Sequence, residues 1–322
     1  MITPQVGWGS GPSGYWRTTN GGYSWTALSQ PPGRVYDFVS TNEAVTATGE
    51  PGAVSFEWTA DGGQHWISRT LNIPAANGNF VLPEALSFST PTTGWLLVEP
   101  EQGMNSDSGW LYQTTNAGAS WTLVASASIG GTLPSALGIL SFSATGQGWL
   151  LASSSSTTTP RLYQSSDGGV HWVMSAIASP QGYYVDPLAL PTVEGSRGTM
   201  VAGLANPPGV ITHAAAAVFQ TVDGGRSWKE VGQSLTLDNA IAAPMFATPE
   251  AGFAPVQGAL LATSNGGISW TRLGLPTLPA GSTVQQIDLL GTQDVWLVLT
   301  DSAHGQLMAI SHDGGKSWTV QP

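Results

Sequence analysis

The sequence predicts an all-β fold built from seven similar units. Three observations carry this prediction. An eight-residue turn motif recurs seven times along the 322 residues, short strand-like runs flank each copy, and no segment shows a long helical period. The composition agrees, because 41 glycines and 14 tryptophans are typical of a chain with many turns and large packed rings.

The repeated motif, here called the box, reads Ser/Thr, any residue, Asp/Asn, Gly/Ala, Gly, any residue, Ser/Thr/His, Trp. Its copies span residues 18–25, 59–66, 114–121, 165–172, 221–228, 263–270 and 311–318. We expect the Asp or Asn oxygen to accept backbone N–H groups of the turn, and the glycines to supply positive φ. Three copies carry Asn, which cannot titrate, so we interpret the third positions as structural: Asn20, Asp61, Asn116, Asp167, Asp223, Asn265 and Asp313.

Each box lies between two predicted strands, and a second hairpin-like segment such as "ALSFSTPTTGWLLV" precedes them. Four antiparallel strands in about 40 to 50 residues are typical of one blade of a β-propeller. Seven boxes therefore predict a single seven-bladed β-propeller of four-stranded antiparallel blades over residues 1–322. Residues 213–220, "HAAAAVFQ", have helix propensity but fall where a third strand belongs, so we predict a strand there.

The first blade is expected to be incomplete, because only seven residues precede Trp8 and most of an innermost strand is missing. Three explanations are open: a three-stranded blade, a strand supplied by a neighbouring chain, or a longer natural N-terminus that was removed. We favour the removed N-terminus.

Aromatic residues recur at the start of the predicted second strands and are expected to pack between blades: Trp8, Trp95, Trp149, Trp296 and Phe253. Trp16, Trp58 and Trp110 fall outside this register. We predict that these three are exposed aromatics.

The boxes and the Gly-Trp pairs at 7–8, 94–95 and 148–149 resemble the Asp-box, or BNR, repeat, along nearly the whole chain. Proteins with that repeat include sialidases, xyloglucanases, sortilin-type receptors and photosystem II assembly factors, and the pattern is most similar to the assembly factors. The resemblance implies a propeller and leaves the function open. The chain lacks the arginine patch of the assembly factors and the Arg-Ile-Pro signature of sialidases.

The charge balance excludes several classes of partner. Nine Lys and Arg against 20 Asp and Glu give a net charge of −11, which argues against nucleic acid and anionic membranes. No apolar run is long enough for a membrane span. Charged residues make up only 9% of the chain, and serine, threonine and glycine are abundant. This composition predicts an extracellular or cell-envelope location, with the leader absent from this chain.

Ligands of propellers usually meet the face formed by loops that enter the innermost strands and loops that join strands two and three, here called the mouth. The predicted ligand-binding residues there are Arg34, Tyr36, Asp37, Glu84, Tyr183, Tyr184, Asp186 and Gln286. The mouth also gathers Asp238, Gln285, Glu99, Glu101, Asp107, His213, Asp301 and His304. This acidic and aromatic set suits a cation, a basic peptide or a sugar.

The function predicted from these residues is that of a non-catalytic, exported, monomeric binding or scaffolding propeller for a protein or a glycan. The alternative is a glycosidase that uses Asp37 with Glu84 or Asp186 as its catalytic carboxylates. Xyloglucanase-type enzymes generally use two propellers around a cleft, so binding is favoured and the enzyme question stays open. Neither cofactor nor metal is expected, because the histidines belong to boxes or are spread over different blades.

Overall fold

The computed structural model describes residues 1–11, 14–31, 33–101, 109–127, 132–134, 137–153, 161–178, 180, 183–187, 189–205, 213–236, 242–256, 259–275, 282–301 and 305–321. These residues form seven sheets. Consecutive sheets contact one another around a ring, so the chain is a seven-bladed β-propeller, as predicted.

The blades follow one another along the chain. Blade 1 contains β1 (Gly7–Gly11), β2 (Gly14–Thr18) and β3 (Thr26–Ala27). Blade 2 contains β4 (Val35–Phe38), β5 (Ala44–Glu50), β6 (Ala53–Thr59) and β7 (Ile67–Asn72), followed by a 3-10 turn at Pro74–Ala76. Blade 3 contains β8 (Val81–Phe88), β9 (Gly94–Pro100), β10 (Trp110–Thr114) and β11 (Thr122–Ser126). Blade 4 contains β12 (Leu137–Phe142), β13 (Gly148–Ser153), β14 (Arg161–Ser165) and β15 (Val173–Met174).

Blade 5 is the largest sheet and contains β16 (Ala176–Ile177), β17 (Tyr184–Pro187), β18 (Thr192–Glu194), β19 (Arg197–Ala205), β20 (His213–Thr221) and β21 (Ser227–Thr236). Blade 6 contains β22 (Met245–Phe246), β23 (Gly252–Val256), β24 (Ala259–Thr263) and β25 (Thr271–Leu273). Blade 7 contains β26 (Thr283–Leu290), β27 (Asp294–Asp301), β28 (Gly305–Ser311) and β29 (Thr319–Gln321).

Two blades depart from the four-stranded pattern. Blade 1 has three described strands in the order β1-β2-β3. In blade 5 the innermost strand is split, because β17 and β18 both pair with β19, and β16 adds a parallel strand to the outer edge of β21. The segment that follows β15 of blade 4 therefore pairs with the outer edge of blade 5 through β16. The prediction that residues 213–220 form a strand is confirmed by β20.

Every box joins the outer two strands of its blade, which in blade 1 are β2 and β3, so all seven lie at one end of the ring, here called the box face. In all seven, Oδ1 of the Asp or Asn accepts the backbone N–H four residues on, at 2.9–3.0 Å. The Ser or Thr that opens the box accepts the N–H of the second glycine, which has positive φ in every copy. Adjacent antiparallel strands run in opposite directions, so the mouth lies at the other end.

The aromatic residues of the second strands join neighbouring blades. The indole N–H of Trp95 in blade 3 donates to the carbonyl of Gly168 in the box of blade 4, at 2.9 Å. Trp296 in blade 7 donates in the same way to Gly21 in blade 1, at 2.9 Å, and so closes the ring. The predicted blade-to-blade core is confirmed, because Trp8, Trp95, Trp149, Trp296 and Phe253 are all buried.

The prediction that Trp58 is exposed is wrong. Trp58 is 5% exposed and packs on Phe88 of blade 3, with ring centroids 5.3 Å apart. Its cross-strand partner is Val45, which stands where other blades carry Trp or Phe. Blade 2 therefore fills the space between blades from its third strand instead of its second. Trp16 and Trp110 are half-buried.

No helix among the described residues is both long enough and apolar enough to span a membrane.

Candidate functional site

The mouth is lined on one side by the first residues of the innermost strands. Glu84 lies at a β-bulge of β8 between Pro83 and Ala85, and Gln285 lies at the same kind of bulge in β26. Arg34 directly precedes β4 and donates its backbone N–H to Ala47. Arg34, Glu84 and Gln285 thus occupy equivalent places in blades 2, 3 and 7, although one side chain is cationic, one anionic and one neutral.

Arg34 and Glu84 form an ion pair that joins blades 2 and 3. Nη2 of Arg34 lies 2.5 Å from Oε1 of Glu84, and its Nε donates to the carbonyl of Pro83 at 2.9 Å. The Arg34 side chain is 45% exposed, whereas that of Glu84 is 14% exposed. The negative charge of Glu84 is therefore compensated by Arg34, and the guanidinium of Arg34 remains accessible to solvent.

Asp37, three residues after Arg34 and within β4, links the same two blades. Its Oδ2 accepts the backbone N–H of Phe88 at 2.6 Å. Burial raises the pKa of Asp37 to about 6, although the N–H groups of Phe88 and Phe38 act in the opposite direction. Ser87 makes the equivalent contact between blades 3 and 4, because its hydroxyl accepts the backbone N–H of Phe142 at 3.1 Å. Asp37 thus has a structural counterpart in blade 3.

Tyr36 presents an aromatic surface at the mouth. Its side chain is 43% exposed. The ring packs against Phe38 and Tyr15, with centroids 5.0 and 5.6 Å away, which fixes its orientation. Its hydroxyl oxygen accepts the hydroxyl of Ser10 in β1 at 2.5 Å.

The remaining predicted ligand-binding residues lie on blades 5 and 7. Tyr183 is exposed just before β17, while Tyr184 and Asp186 belong to that strand. Asp186 is half-buried and already engaged in an interaction. Gln286 is exposed on β26. A ligand shared by these residues and the Arg34–Glu84 pair stays a prediction.

The second group of mouth residues is only partly visible. Glu99 is half-buried and Glu101 is exposed. His213 and Asp301 belong to β20 and β27. Asp107, Asp238 and His304 lie outside the described residues.

Sequence reasoning missed Ser10 as a mouth residue. Gly9 and Ser10 of β1 stand where β9 carries Leu96 and Leu97, and this substitution of polar or small residues for an apolar pair is visible in the sequence. It signals that the inner side of β1 differs from that of the other second strands.

Two box histidines pair with box carboxylates. Nδ1 of His65 lies 2.6 Å from Oδ2 of Asp61, and Nδ1 of His171 lies 2.7 Å from Oδ2 of Asp167. They take the place of the serine hydroxyl that donates to Asp223 in another box. Within the described ranges, no three His, Asp or Glu side chains lie close enough together to hold a metal ion.

The box carboxylates are held ionised. The backbone N–H of His171 is the main cause that lowers the pKa of Asp167 to about 2. The backbone N–H of His65 lowers the pKa of Asp61 in the same way, well below its usual range. The side-chain hydroxyls of Ser227 and Ser317 do this for Asp223 and Asp313.

Comparison with known proteins places this architecture among propellers. No protein-family model and no curated protein matches the chain. Among solved structures, YCF48 from Cyanidioschyzon merolae is 17% identical, with a TM-score of 0.56 over 89% of this chain and 84% of its own. A prolyl endopeptidase structure is 11% identical, with a TM-score of 0.53 over 98% of this chain and 50% of its own. The GH74 xyloglucanase from Xanthomonas campestris is 15% identical, with a TM-score of 0.45 over 99% of this chain and 43% of its own. The predicted resemblance to assembly-factor propellers is thus confirmed at the level of the fold.

Proposed function

We propose that this chain is a non-catalytic binding propeller that recognises a protein or a glycan at its mouth. The observation that carries the proposal is that some of the mouth residues hold the blades together while others remain exposed. Asp37 and Glu84 are engaged in contacts between blades 2 and 3, whereas Tyr36 and the guanidinium of Arg34 keep exposed surface.

The exposed groups are of the kind that hold a ligand without reacting with it. The packed ring of Tyr36 offers a rigid apolar face on which a sugar ring or an apolar side chain can stack at little entropic cost. Arg34, two residues before Tyr36, and the exposed Gln286 on blade 7 can add hydrogen-bond donors. The net charge of −11 favours neutral or basic ligands over acidic ones.

A glycosidase needs two carboxyl groups that are free to act on the substrate. The raised pKa of Asp37 would suit a general acid. However, Asp37 accepts the N–H of Phe88, and Glu84, its candidate partner on the neighbouring blade, is paired with Arg34. These contacts favour binding over hydrolysis.

A ligand screen tests the proposal. The protein is exposed to a glycan array and a random peptide library, and every hit is measured again with Tyr36→Ala and Arg34→Ala. The matched control is Tyr23→Ala, because Tyr23 is equally exposed, at 44%, but lies in a box turn. We expect hits whose affinity falls about tenfold in the two mouth variants and is unchanged in the control. Ligands whose affinity is unchanged in both mouth variants would contradict the proposal. Turnover of a chromogenic glycoside that is abolished by Asp37→Asn would contradict it as well.

We also propose that the protein works outside the cytoplasm as a monomer. The low content of charged residues, 9%, supports the first statement. Fractionation of cells that express the native protein checks the location, and analytical ultracentrifugation checks the assembly state. A cytosolic or a dimeric protein would contradict the respective statement.

A further inference from the structure

The sequence contains three Asn–Gly pairs, at residues 20–21, 77–78 and 265–266. An asparagine before glycine loses its side-chain amide more readily than other asparagines, because glycine has no side chain to hinder attack by its backbone nitrogen. The first and third pairs belong to boxes, whereas the second lies in the loop between blades 2 and 3. All three asparagines are exposed, so exposure alone does not distinguish them.

In the first box, hydrogen bonds hold both of the groups that would react. Oδ1 of Asn20 accepts the N–H of Ser24 at 3.0 Å and the hydroxyl of Thr18 at 2.9 Å, and its Nδ2 donates to the Ser24 hydroxyl at 2.9 Å. Gly21 is buried, and its N–H donates to the carbonyl of Gln5 at 2.7 Å. Closing a ring turns the asparagine side chain back onto the peptide bond that follows it, so these contacts must open first.

Asn265 is held in the same way. Its Oδ1 accepts the N–H of Ser269 at 3.0 Å and the hydroxyl of Thr263 at 2.9 Å, and its Nδ2 donates to the Ser269 hydroxyl at 2.8 Å. Gly266 is buried, and its N–H donates to the carbonyl of Glu250 at 2.7 Å. The N–H at this box position donates to a carbonyl in all seven boxes, at 2.7–3.0 Å, so the protection is a property of the motif.

The pair in the loop lacks these contacts with the part of the chain that the structure describes. Asn77 follows the 3-10 turn Pro74–Ala76, and neither its side chain nor the N–H of Gly78 forms a hydrogen bond with another described residue. Gly78 is exposed, and a Cβ added to it would meet nothing within 4 Å. The nitrogen that would attack is therefore accessible to water.

The turn itself favours this reactive pair. Asn77 has φ 50° and ψ 36°, and Gly78 has φ 79°. Both are left-handed conformations, which glycine adopts freely and asparagine tolerates better than most other residues. The turn is fixed by its neighbours, because Asn79 donates its N–H to Ala76 at 2.9 Å and accepts that of Gly52 at 2.8 Å. The conformation that selects Asn and Gly here thus also places the reactive pair at an exposed position.

We propose that Asn77 is a site of spontaneous deamidation in the folded protein, and that the boxes prevent the same reaction at Asn20 and Asn265. The backbone nitrogen of Gly78 bonds to Cγ of Asn77 and gives up its proton. The bond from Cγ to Nδ2 breaks, and Nδ2 takes up that proton and leaves as ammonia. Water then opens the five-membered succinimide ring at one of its two carbonyl carbons, which gives either aspartate or isoaspartate. Water is the only co-reactant.

The reaction changes a loop at the mouth end of the ring, because this loop joins the outer strand β7 to the innermost strand β8. Either product adds one negative charge to the net charge of −11. Isoaspartate also lengthens the main chain by one carbon just before β8. The inference goes beyond the proposed binding function, because it depends on no ligand.

Peptide mapping by mass spectrometry tests the proposal. The folded protein is kept at mildly alkaline pH, which promotes loss of the backbone proton, and is sampled over time. We expect Asn77 to convert about a hundredfold faster than Asn20 and Asn265, because each hydrogen bond that must open slows ring closure about fivefold and at least three hold each box asparagine. Equal rates at the three positions in the folded protein would overturn the proposal.

The same measurement in urea provides the control for sequence. The three asparagines share a glycine neighbour, so they should deamidate at similar rates once the chain is unfolded. Rates that still differ widely in urea would assign the difference to the surrounding sequence and overturn the role of the boxes. Asn79 is exposed but precedes Phe80, and it should remain intact in the folded protein. Conversion of Asn79 as fast as that of Asn77 would overturn the assignment to the Asn–Gly pair.

One variant tests the protection by the box directly. Ser24→Ala removes the hydroxyl that Nδ2 of Asn20 contacts. We expect Asn20 to convert about fivefold faster in this variant, with the rates at Asn77 and Asn265 unchanged. An unchanged rate at Asn20 would overturn the protective role of the box contacts.

Discussion

The box face and the mouth are built from the same seven blades, but they treat carboxylates in opposite ways. On the box face, turn N–H groups and hydroxyls surround each Asp and hold its pKa below the usual range, to about 2 for Asp167. At the inner wall near the mouth, burial raises the pKa of Asp37 to about 6. The repeated turns thus share the same backbone hydrogen bonds, whereas the mouth differs from blade to blade.

This difference teaches where to look for function. A position that recurs in seven blades is constrained by the frame, and its substitution should change stability. A position that differs in every blade, such as Arg34 and its counterparts Glu84 and Gln285, is free to serve a ligand. Mutations in the two regions should therefore separate stability from binding.

The largest loss of stability is expected for Trp95→Ala. Trp95 is 2% exposed and donates to the box of the next blade. Removal of a buried tryptophan costs about 3–5 kcal/mol of the unfolding free energy. The contrasting variant at the mouth, Tyr36→Ala, should cost less than about 1 kcal/mol because its ring is 43% exposed. Urea unfolding of both variants measures the difference, and equal losses would contradict the division into frame and mouth.

A smaller loss of stability is expected at the glycines of the box, and it should differ between the second glycine, such as Gly225, and the first glycine, such as Gly168 of another box. A Cβ on Gly225 would lie 1.9 Å from the buried ring of Trp149, whereas a Cβ on Gly168 would meet nothing within 4 Å. Both glycines have positive φ. We expect Gly225→Ala to cost more than about 2 kcal/mol and Gly168→Ala about 1 kcal/mol, the backbone strain alone. Ala117 already adopts φ 56° at the equivalent first position of another box. Thermal unfolding with a matched pair of variants checks the order.

The pH dependence of Asp37 gives a further test. Between about pH 4 and 6 the native state holds a proton on Asp37 that the unfolded chain has released, so the unfolding free energy falls as pH rises through this range. We expect a fall of about 1–2 kcal/mol, less than the full shift implies because the side chain is only half-buried. Asp37→Asn should remove this part of the profile. Denaturant unfolding at several pH values compares the two proteins, and identical profiles would refute the assignment.

The smallest effect is expected for Asp223→Asn on the box face. Asn20, Asn116 and Asn265 show that an amide makes the same turn bonds, and Nδ2 of Asn116 donates to Ser120 at 2.9 Å. The pKa of Asp223 is depressed, so its contribution to stability is present above about pH 4 and is lost as pH falls below that. The variant should match wild type at pH 7 and be less sensitive to acid below pH 4. Melting temperatures at pH 7 and pH 3 check this, and a large loss at pH 7 would show that the charge matters.

Sequence reasoning could predict the features that repeat. Seven boxes fixed the number of blades, and the recurrent aromatics located the core between blades. It could not predict the burial of Trp58, because the exchange of ring position with Val45 is a property of one blade. The split inner strand of blade 5 and the Arg34–Glu84 pair also lack an internal template. Both depend on contacts between segments far apart in the sequence, and one chain without its relatives provides no signal for them.

The central claim is that the repeated turns form the frame and that ligands bind at the non-repeating mouth. The most direct measurement is an amide-exchange map of the protein with and without a ligand found in the screen. We predict that protection increases in residues 33–38 and stays unchanged in all seven boxes. Protection confined to the boxes, with no change along β4, would contradict the account.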